Sequence, residues 1–186
     1  GTRRQLYRPI SRETSQLISP YCSKSVVYGI LYAPYGGGCN SMTITRVEVT
    51  PKQGAGMRDV RGDVVRRQLK ADHGIDVTEV RSITGFLIKS SVPSSDISAR
   101  VDDLFSDPII EDAVTDTLFL TSPHHFPTVP DAAITVGFKP GVTDNPGSAA
   151  YDGFRTLFPQ PEPLEDASVS TYQTYIFYGL PDGTTA

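Results

Sequence analysis

Apolar and polar residues alternate along two short stretches of the chain, and a loop and a helix-like pattern follow each of them. The first stretch covers residues 44–50 and the second covers residues 134–139. Alternation with a period of two predicts strands that bury one face. Behind the first stretch, apolar residues recur at helical spacing and form one stripe, made up of Val60, Val64, Val65 and Leu69. The pattern thus predicts two strand–loop–helix units, one in each half of the chain.

The two units repeat one pattern, in which a strand leads to a lysine, a glycine-containing loop, Asp-x-x-Gly and a helix. Lys52 and Lys139 are 139 − 52 = 87 positions apart, while Asp59 and Asp144 are 144 − 59 = 85 positions apart. A difference of two residues in loop length accounts for the two offsets. Because a duplicated small α+β unit usually packs against its copy, the repeat predicts that the two units pair.

Residues that favour helix ends stand at the boundaries of both predicted helices. Asp59 is suited to cap the first helix, and Gly74 suits a left-handed cap at its C-terminal end. In the second unit the predicted cap is Asn145, with Pro146 at the first helical position. Both helices are therefore expected to begin within the Asp-x-x-Gly motif.

The remainder of the first unit predicts further strands and one more helix. Residues 77–91 are long for one strand, and Thr84-Gly85 predicts a turn or bulge that divides them into two. The helix is indicated by another apolar stripe, which comprises Ile97, Val101, Leu104 and Phe105. Residues 117–121 predict a last short strand. The resulting order, β-α-β-β-α-β, is the ferredoxin-like pattern of an α+β fold.

The second unit follows the same order for only part of its length. Residues 168–180 match the long strand pair of the first unit, but the sequence stops at Ala186, before a second helix and a last strand. We therefore expect a truncated second copy that pairs with the first, in a chain that is a fragment of a longer protein. The predicted divisions are a flexible leader of doubtful origin (1–41), a first module (42–121), a linker (122–131) and a second, incomplete module (132–186).

Charge is distributed unevenly over the 186 residues. Residues 1–41 hold five basic residues and one acidic residue, which gives 5 − 1 = +4. The remainder holds 17 − 5 = 12 basic and 21 − 1 = 20 acidic residues, which gives 12 − 20 = −8. Because the repeated part is acidic, nucleic acid is not an expected partner.

The sequence contains no apolar run long enough to span a bilayer and no signal peptide, so no membrane partner is expected. Its two cysteines, Cys22 and Cys39, lie near the N-terminus and hold no disulfide framework for the repeated part. A cytoplasmic location is the simplest expectation.

Four segments of the chain follow a family pattern: a strand, a turn of the Arg-Asp-x-x-Gly type, Asp-Pro-Ile-Ile-Glu, and Lys-Pro-Gly-Val-x-Asp-x-x-Gly. They lie at residues 47–52, 58–62, 106–111 and 137–144, and the last glycine of the fourth motif is Gly147. Together they resemble the small S-subunit (PurS-like) module of phosphoribosylformylglycinamidine synthase, a ligase of purine biosynthesis. The second copy is similar to the related module at the start of the family's large subunit. The resemblance covers about residues 43–181.

The resemblance implies a function in assembly. The family's enzyme amidates formylglycinamide ribonucleotide with ATP and glutamine, and a glutaminase supplies the ammonia. The segment itself is implied to be non-catalytic and to bridge the glutaminase and the downstream synthetase domain. No cofactor is expected in the segment, whereas ATP and magnesium are implied for the full-length enzyme. The two modules are expected to pair with each other, with Val47, Val49, Ile134 and Val136 on the central strands.

Candidate site residues cluster at the two helix starts. They are Arg58, Asp59, Arg61, Gly62, Asp144 and Gly147. An aspartate in this position accepts backbone N–H bonds, so helix capping is the favoured interpretation. A helix N-terminus flanked by arginines is also suited to an anion or a partner surface, which is the alternative. No catalytic residue and no metal site is expected, since the pair His124-His125 lacks a third ligand at suitable spacing.

Two other functions fit an α+β repeat. A ferredoxin-like regulatory domain of the ACT type would bind a small molecule near the loop Gly54-Ala55-Gly56. A platform for single-stranded RNA is the weaker alternative, because the first copy lacks paired exposed aromatic residues. A thermal-shift screen with amino acids and nucleotides separates a regulatory domain from an assembly element.

Overall fold

The computed structural model describes six stretches of the chain, namely residues 42–54, 57–122, 124–126, 128–139, 141–159 and 167–181. The predictions for residues 1–41 lie outside the described residues. So does most of the loop proposed for a small ligand, since Ala55 and Gly56 are not described.

The described residues form an α+β structure with one five-stranded antiparallel sheet and four helices, so the predicted class is confirmed. The strands are β1 (Thr43–Pro51), β2 (Glu79–Ser90), β3 (Glu111–Thr115), β4 (Ala132–Gly137) and β5 (Ser168–Tyr178). The helices are α1 (Val60–His73), α2 (Ser94–Ala99), α3 (Val101–Leu104) and α4 (Asn145–Leu157), with a 3₁₀ turn at Phe119–Thr121. The strand order in the sheet is β3-β1-β2-β5-β4.

The predicted turn at Thr84-Gly85 is wrong. β2 is one continuous strand of 12 residues, and its counterpart β5 is one strand of 11 residues. Gly85 does not bend the strand but makes room for an aromatic ring, because a Cβ atom there would lie 1.9 Å from Cζ of Tyr172. The first unit therefore reads β-α-β-α-α-β, which differs from the β-α-β-β-α-β order expected from the sequence.

The predicted last strand at residues 117–121 is also misplaced, because β3 ends earlier, at Thr115. Asp116 follows in a left-handed conformation with φ of 52°, which aspartate tolerates better than most residues. Its carboxylate accepts a hydrogen bond of 2.9 Å from the backbone N–H of Arg46 and so holds this bend against β1. Beyond the bend, Phe119 is fully buried in the 3₁₀ turn.

The two units pair through β2 and β5 and are related by an approximate two-fold axis. Thr84 lies opposite Gln173, at an offset of 173 − 84 = 89. The flanking strands keep the same register, since Val49 of β1 lies opposite Thr84 and Val136 of β4 lies opposite Gln173. Because Thr84 and Gln173 hold the same place in the two units and face each other, the axis passes between them.

The expectation that β4 is a central strand is wrong. β1 lies between β3 and β2, but β4 is at the edge of the sheet. Val136 is accordingly 55% exposed, whereas Val49 at the equivalent position is 4% exposed. The inter-unit contact uses the longest strands, which bury more backbone in their pairing than β1 and β4 would.

Each long helix covers strands of both units. Val65 and Leu69 of α1 pack in a cluster that includes Ala132 and Ile134 of β4. Phe154 of α4 belongs to a cluster that includes residues of the first unit, among them Val47, Val49, Ile88 and Ile97. The two units thus share their cores on this face of the sheet.

The apolar stripe predicted for α1 is only half buried. Val65 and Leu69 pack on the core, but Val60 is 66% exposed and Val64 is 38% exposed. The opposite face of the sheet is covered by Phe119 and by Phe126, a residue of the predicted linker, which pack against Ile83 and Ile176.

Candidate functional site

Asp59 ties the start of α1 to β2. Its Oδ1 atom accepts hydrogen bonds of 2.8 Å from the backbone N–H of Gly62 and of 2.8 Å from the hydroxyl of Ser82. The Oδ2 atom accepts a third bond from the backbone N–H of Ser82. The side chain therefore caps the helix and anchors it to the neighbouring strand at the same time.

Asp144 makes the same three bonds in the second unit. Its carboxylate accepts hydrogen bonds of 2.7 Å from the N–H of Gly147, 2.8 Å from the hydroxyl of Thr171 and 2.6 Å from the N–H of Thr171. The cap of α4 is thus Asp144, and the prediction of Asn145 is wrong, because Asn145 already lies in the helix. Ser82 and Thr171 are 171 − 82 = 89 positions apart, the offset of the two long strands.

The glycines of both motifs let the helix start approach the strand closely. A Cβ atom on Gly62 would lie 2.0 Å from the carbonyl oxygen of Val80, and one on Gly147 would lie 2.7 Å from that of Val169. The two carbonyls are again 169 − 80 = 89 positions apart. The spacing of Asp and Gly therefore follows from one packing geometry that occurs twice.

The strand hydroxyls were not identified as site residues from the sequence. Their signal is a Ser or Thr at the same place in each long strand, Ser82 and Thr171. With these hydroxyls included, each aspartate uses both carboxylate oxygens within its own unit. The first-turn N–H group of Gly62 or Gly147 is then already bonded, which is the geometry of a helix cap.

The two arginines beside the first cap have no counterparts in the second unit. With the offset of 85, Arg58 corresponds to Thr143 and Arg61 to Pro146. The Arg58 side chain is 77% exposed, and its hydrogen bond to Asp63 lowers the pKa of that carboxyl group. Arg61 donates to the hydroxyl of Thr84, next to the approximate two-fold axis. The arginines are therefore a local feature of the first unit and not part of the repeated geometry.

A buried carboxylate, Glu48, lies on the opposite face of the sheet. It is 4% exposed and accepts 2.8 Å bonds from the hydroxyl of Tyr172 and from the backbone N–H of Phe119. Burial raises the pKa of Glu48, although the two hydrogen bonds oppose this shift, and burial together with the Glu48 charge raises the pKa of Tyr172. Tyr172 reaches Glu48 across Gly85, its neighbour on β2. Glu48 thus joins three segments: β1, β5 and the 3₁₀ turn.

Searches for a metal site and for a membrane span give no candidate in the described part of the chain. None of its His, Cys, Asp and Glu residues form a group of three or more that is placed to hold a metal ion. Nor does that part contain a helix with the length and apolar character that crossing a membrane requires.

Comparison with protein-family models finds no match, and comparisons with the curated proteins and with the solved structures find no significantly similar chain.

Proposed function

We propose that the chain is an assembly region of a phosphoribosylformylglycinamidine synthase, with two PurS-like modules related to the ferredoxin-like fold, the second of them truncated. In this proposal it bridges the ATP-dependent synthetase domain and the glutaminase that supplies ammonia. ATP and magnesium act in the synthetase domain, and the protein works in the cytoplasm. The alternative is a regulatory domain of the ACT type.

The observation that carries the proposal is the duplicated Asp–Gly–hydroxyl network at the two helix starts. Asp59 and Asp144 are fully engaged in joining helix to strand, and each unit shares its core with the other. The geometry repeated in the two units is thus used to build one block with a shared core. A rigid block with exposed basic residues at one helix start is suited to contact partner proteins.

The exposed basic residues at this helix start are Arg58 and Arg61, and Arg61 also donates to the hydroxyl of Thr84. Arg58 is mostly exposed, and its ion pair with Asp63 is at the surface, where such pairs contribute little to stability. An exposed arginine can exchange such a pair for a carboxylate of a partner at small cost. The proposal therefore assigns the glutaminase contact to the start of α1.

The test compares glutamine with free ammonia as nitrogen source in the reconstituted synthase. The double substitution Arg58→Ala and Arg61→Ala is expected to lower glutamine-dependent amidation about tenfold or more, since a loss of about 1.4 kcal/mol in the contact corresponds to this factor. Ammonia-dependent amidation is expected to stay unchanged. Lys70→Ala is the matched control, because Lys70 is an exposed cation at the other end of α1.

Two results would contradict the proposal. One is a synthase in which removal of residues 42–181 leaves the glutamine-dependent and the ammonia-dependent rates unchanged. The other is a rise in melting temperature with an amino acid or nucleotide in a thermal-shift screen of the isolated chain, which would favour the ACT-type alternative.

A further inference from the structure

The outer edge of β4 differs from the equivalent edge of β1. β1 pairs with β3 on the side away from β2, with Ala113 opposite Val49. β4 occupies the same place in the second unit, but no described strand lies on its outer side. The strand Ala132–Gly137 contains no proline and no charged residue, which are two of the features that natural proteins use to protect an edge. Its edge is therefore competent to pair with a further strand.

The helix side of this edge is also uncovered. In the first unit, Ile97 of α2 and Phe105 share a core cluster with Val49. α3 follows and sets Leu104 against α4, where a Cβ on Gly153 would be 2.4 Å from the Leu104 Cδ1 atom. With the offset of 85, the position of Gly153 corresponds to Gln68 on α1, which is exposed. Val136 is 55% exposed and Val64, one turn before Gln68, is 38% exposed.

A lysine at the end of β4 lacks the acidic neighbour that its counterpart has. Lys52 contacts the carbonyl oxygen of Pro108, and its Nζ lies 4.0 Å from a carboxylate oxygen of Asp112 on β3. Lys139, at the equivalent place, is exposed and forms no ion pair with another described residue. In the first unit, a carboxylate on the neighbouring strand thus lies near the equivalent lysine, Lys52.

We propose that the β4 edge, together with Val64, Val136 and Lys139, binds a helix–strand segment of a partner protein. The bound strand runs antiparallel to β4, places a small residue opposite Val136 as Ala113 is placed opposite Val49, and brings a carboxylate to Lys139. The helix that precedes this strand covers Val64 and Val136. These features are derived from the internal two-fold axis alone and do not depend on the proposed function.

A second copy of the chain is not the occupant that this surface fits. Two β4 edges brought together would pair their backbones, but the strand Ala-Ala-Ile-Thr-Val-Gly contains no acidic residue. Asp131, which directly precedes it, already accepts a 2.9 Å hydrogen bond from the backbone N–H of Leu180. The other edge strand, β3, begins with Glu111 and Asp112, but the helices that precede it pack on β1 of the same chain. A β3 strand from a second copy therefore brings no helix to cover Val64 and Val136. A partner with its own helix supplies both the missing cover and the missing charge.

The test supplies residues 92–116 of this same chain as the probe, because that segment fills the equivalent edge of β1. A copy of it is fused directly after Leu180, which corresponds to Ser91 at the offset 180 − 91 = 89. We expect the fusion to slow hydrogen exchange of the Ile134 and Val136 amides about tenfold or more and to raise the melting temperature. The same segment as a free peptide is expected to slow these amides in a concentration-dependent way.

Two substitutions in the body of the fusion make the test specific. Val136→Lys is expected to abolish both the slower exchange and the rise in melting temperature of the fusion. It should leave the stability of the unfused protein unchanged, because Val136 is 55% exposed in that protein. Ile110→Lys changes a residue that is 49% exposed beside the other sheet edge, and the fusion is expected to keep its slower exchange and its higher melting temperature. Unchanged exchange of the β4 amides in the fusion would overturn the proposal. So would concentration-dependent dimerisation of the unfused chain that Val136→Lys abolishes, since it would assign the edge to a second copy.

Discussion

At the scale of single residues, the polar side chains that matter most are those buried against backbone N–H groups. Asp59 and Asp144 were recognisable from the sequence because Asp-x-x-Gly recurs before two helical patterns. Glu48 was not, because an acidic residue between two valines in an alternating strand reads as a solvent-facing position. The 3₁₀ turn at Phe119 and the ring of Tyr172 cover that face of the sheet and bury Glu48. Because Glu48 is buried by residues far from it in the chain, no local sequence pattern indicates its burial.

Glu48→Gln tests how the buried carboxylate of Glu48 makes the stability of the protein depend on pH. Burial raises the pKa of Glu48 in the folded state, so the folded protein binds the proton more tightly than the unfolded chain. The stability that this group contributes is full below the unfolded carboxyl pKa and is lost as the pH rises through the raised value. We therefore expect the stability of the wild type relative to Glu48→Gln to increase as the pH falls from neutral towards 4.5, the ordinary value of the carboxyl pKa.

Urea unfolding at several pH values measures this difference. Glu79→Gln is the control, because Glu79 is an exposed carboxylate on β2. A difference between wild type and Glu48→Gln that stays constant over this pH range would contradict the assignment.

At the scale of elements, the two helix starts share one arrangement of hydrogen bonds, and each joins a helix to the long strand of its own unit. The positions of α1 and α4 were predictable because their caps are local. The continuity of β2 was not, since Gly85 is required by the ring of Tyr172, which lies 172 − 85 = 87 positions further along the chain. β3 was misplaced for a similar reason, as its end is set by the contact between Asp116 and Arg46.

Asp59→Ala and Asp144→Ala are expected to destabilise the protein by similar amounts. Each removes three hydrogen bonds, one of which caps the helix, so we expect a loss of about 1–2 kcal/mol in the free energy of unfolding for each. Chemical denaturation measures the loss. Asp72→Ala, which removes an exposed acid in the last turn of α1, should not lower stability, because an acid is unfavourable at a helix C-terminus. Unequal losses, or none at Asp144, would mean that the two starts are not equivalent.

At the scale of the whole molecule, the chain is built as two units that exchange core contacts about an approximate two-fold axis. α1 packs with residues of β4, and α4 packs with residues of β1, so each unit completes the other. The duplication itself is visible in the sequence, but the strands that pair are not, because the turn or bulge predicted at Thr84-Gly85 divides β2 and hides its length. The shared core predicts that the two units unfold as one cooperative block.

Native-state hydrogen exchange of Phe154→Ala tests this shared core most directly. Phe154 is 3% exposed on α4 of the second unit, and its truncation is expected to cost about 3–5 kcal/mol. We predict that the most protected amides of β1, including Val47 and Val49, lose as much protection as those of β5. Phe138→Ala, at a residue 48% exposed, should leave both sets unchanged. If Phe154→Ala lowers protection in β4, α4 and β5 while β1 keeps its full protection, the two units fold independently and the shared core is contradicted.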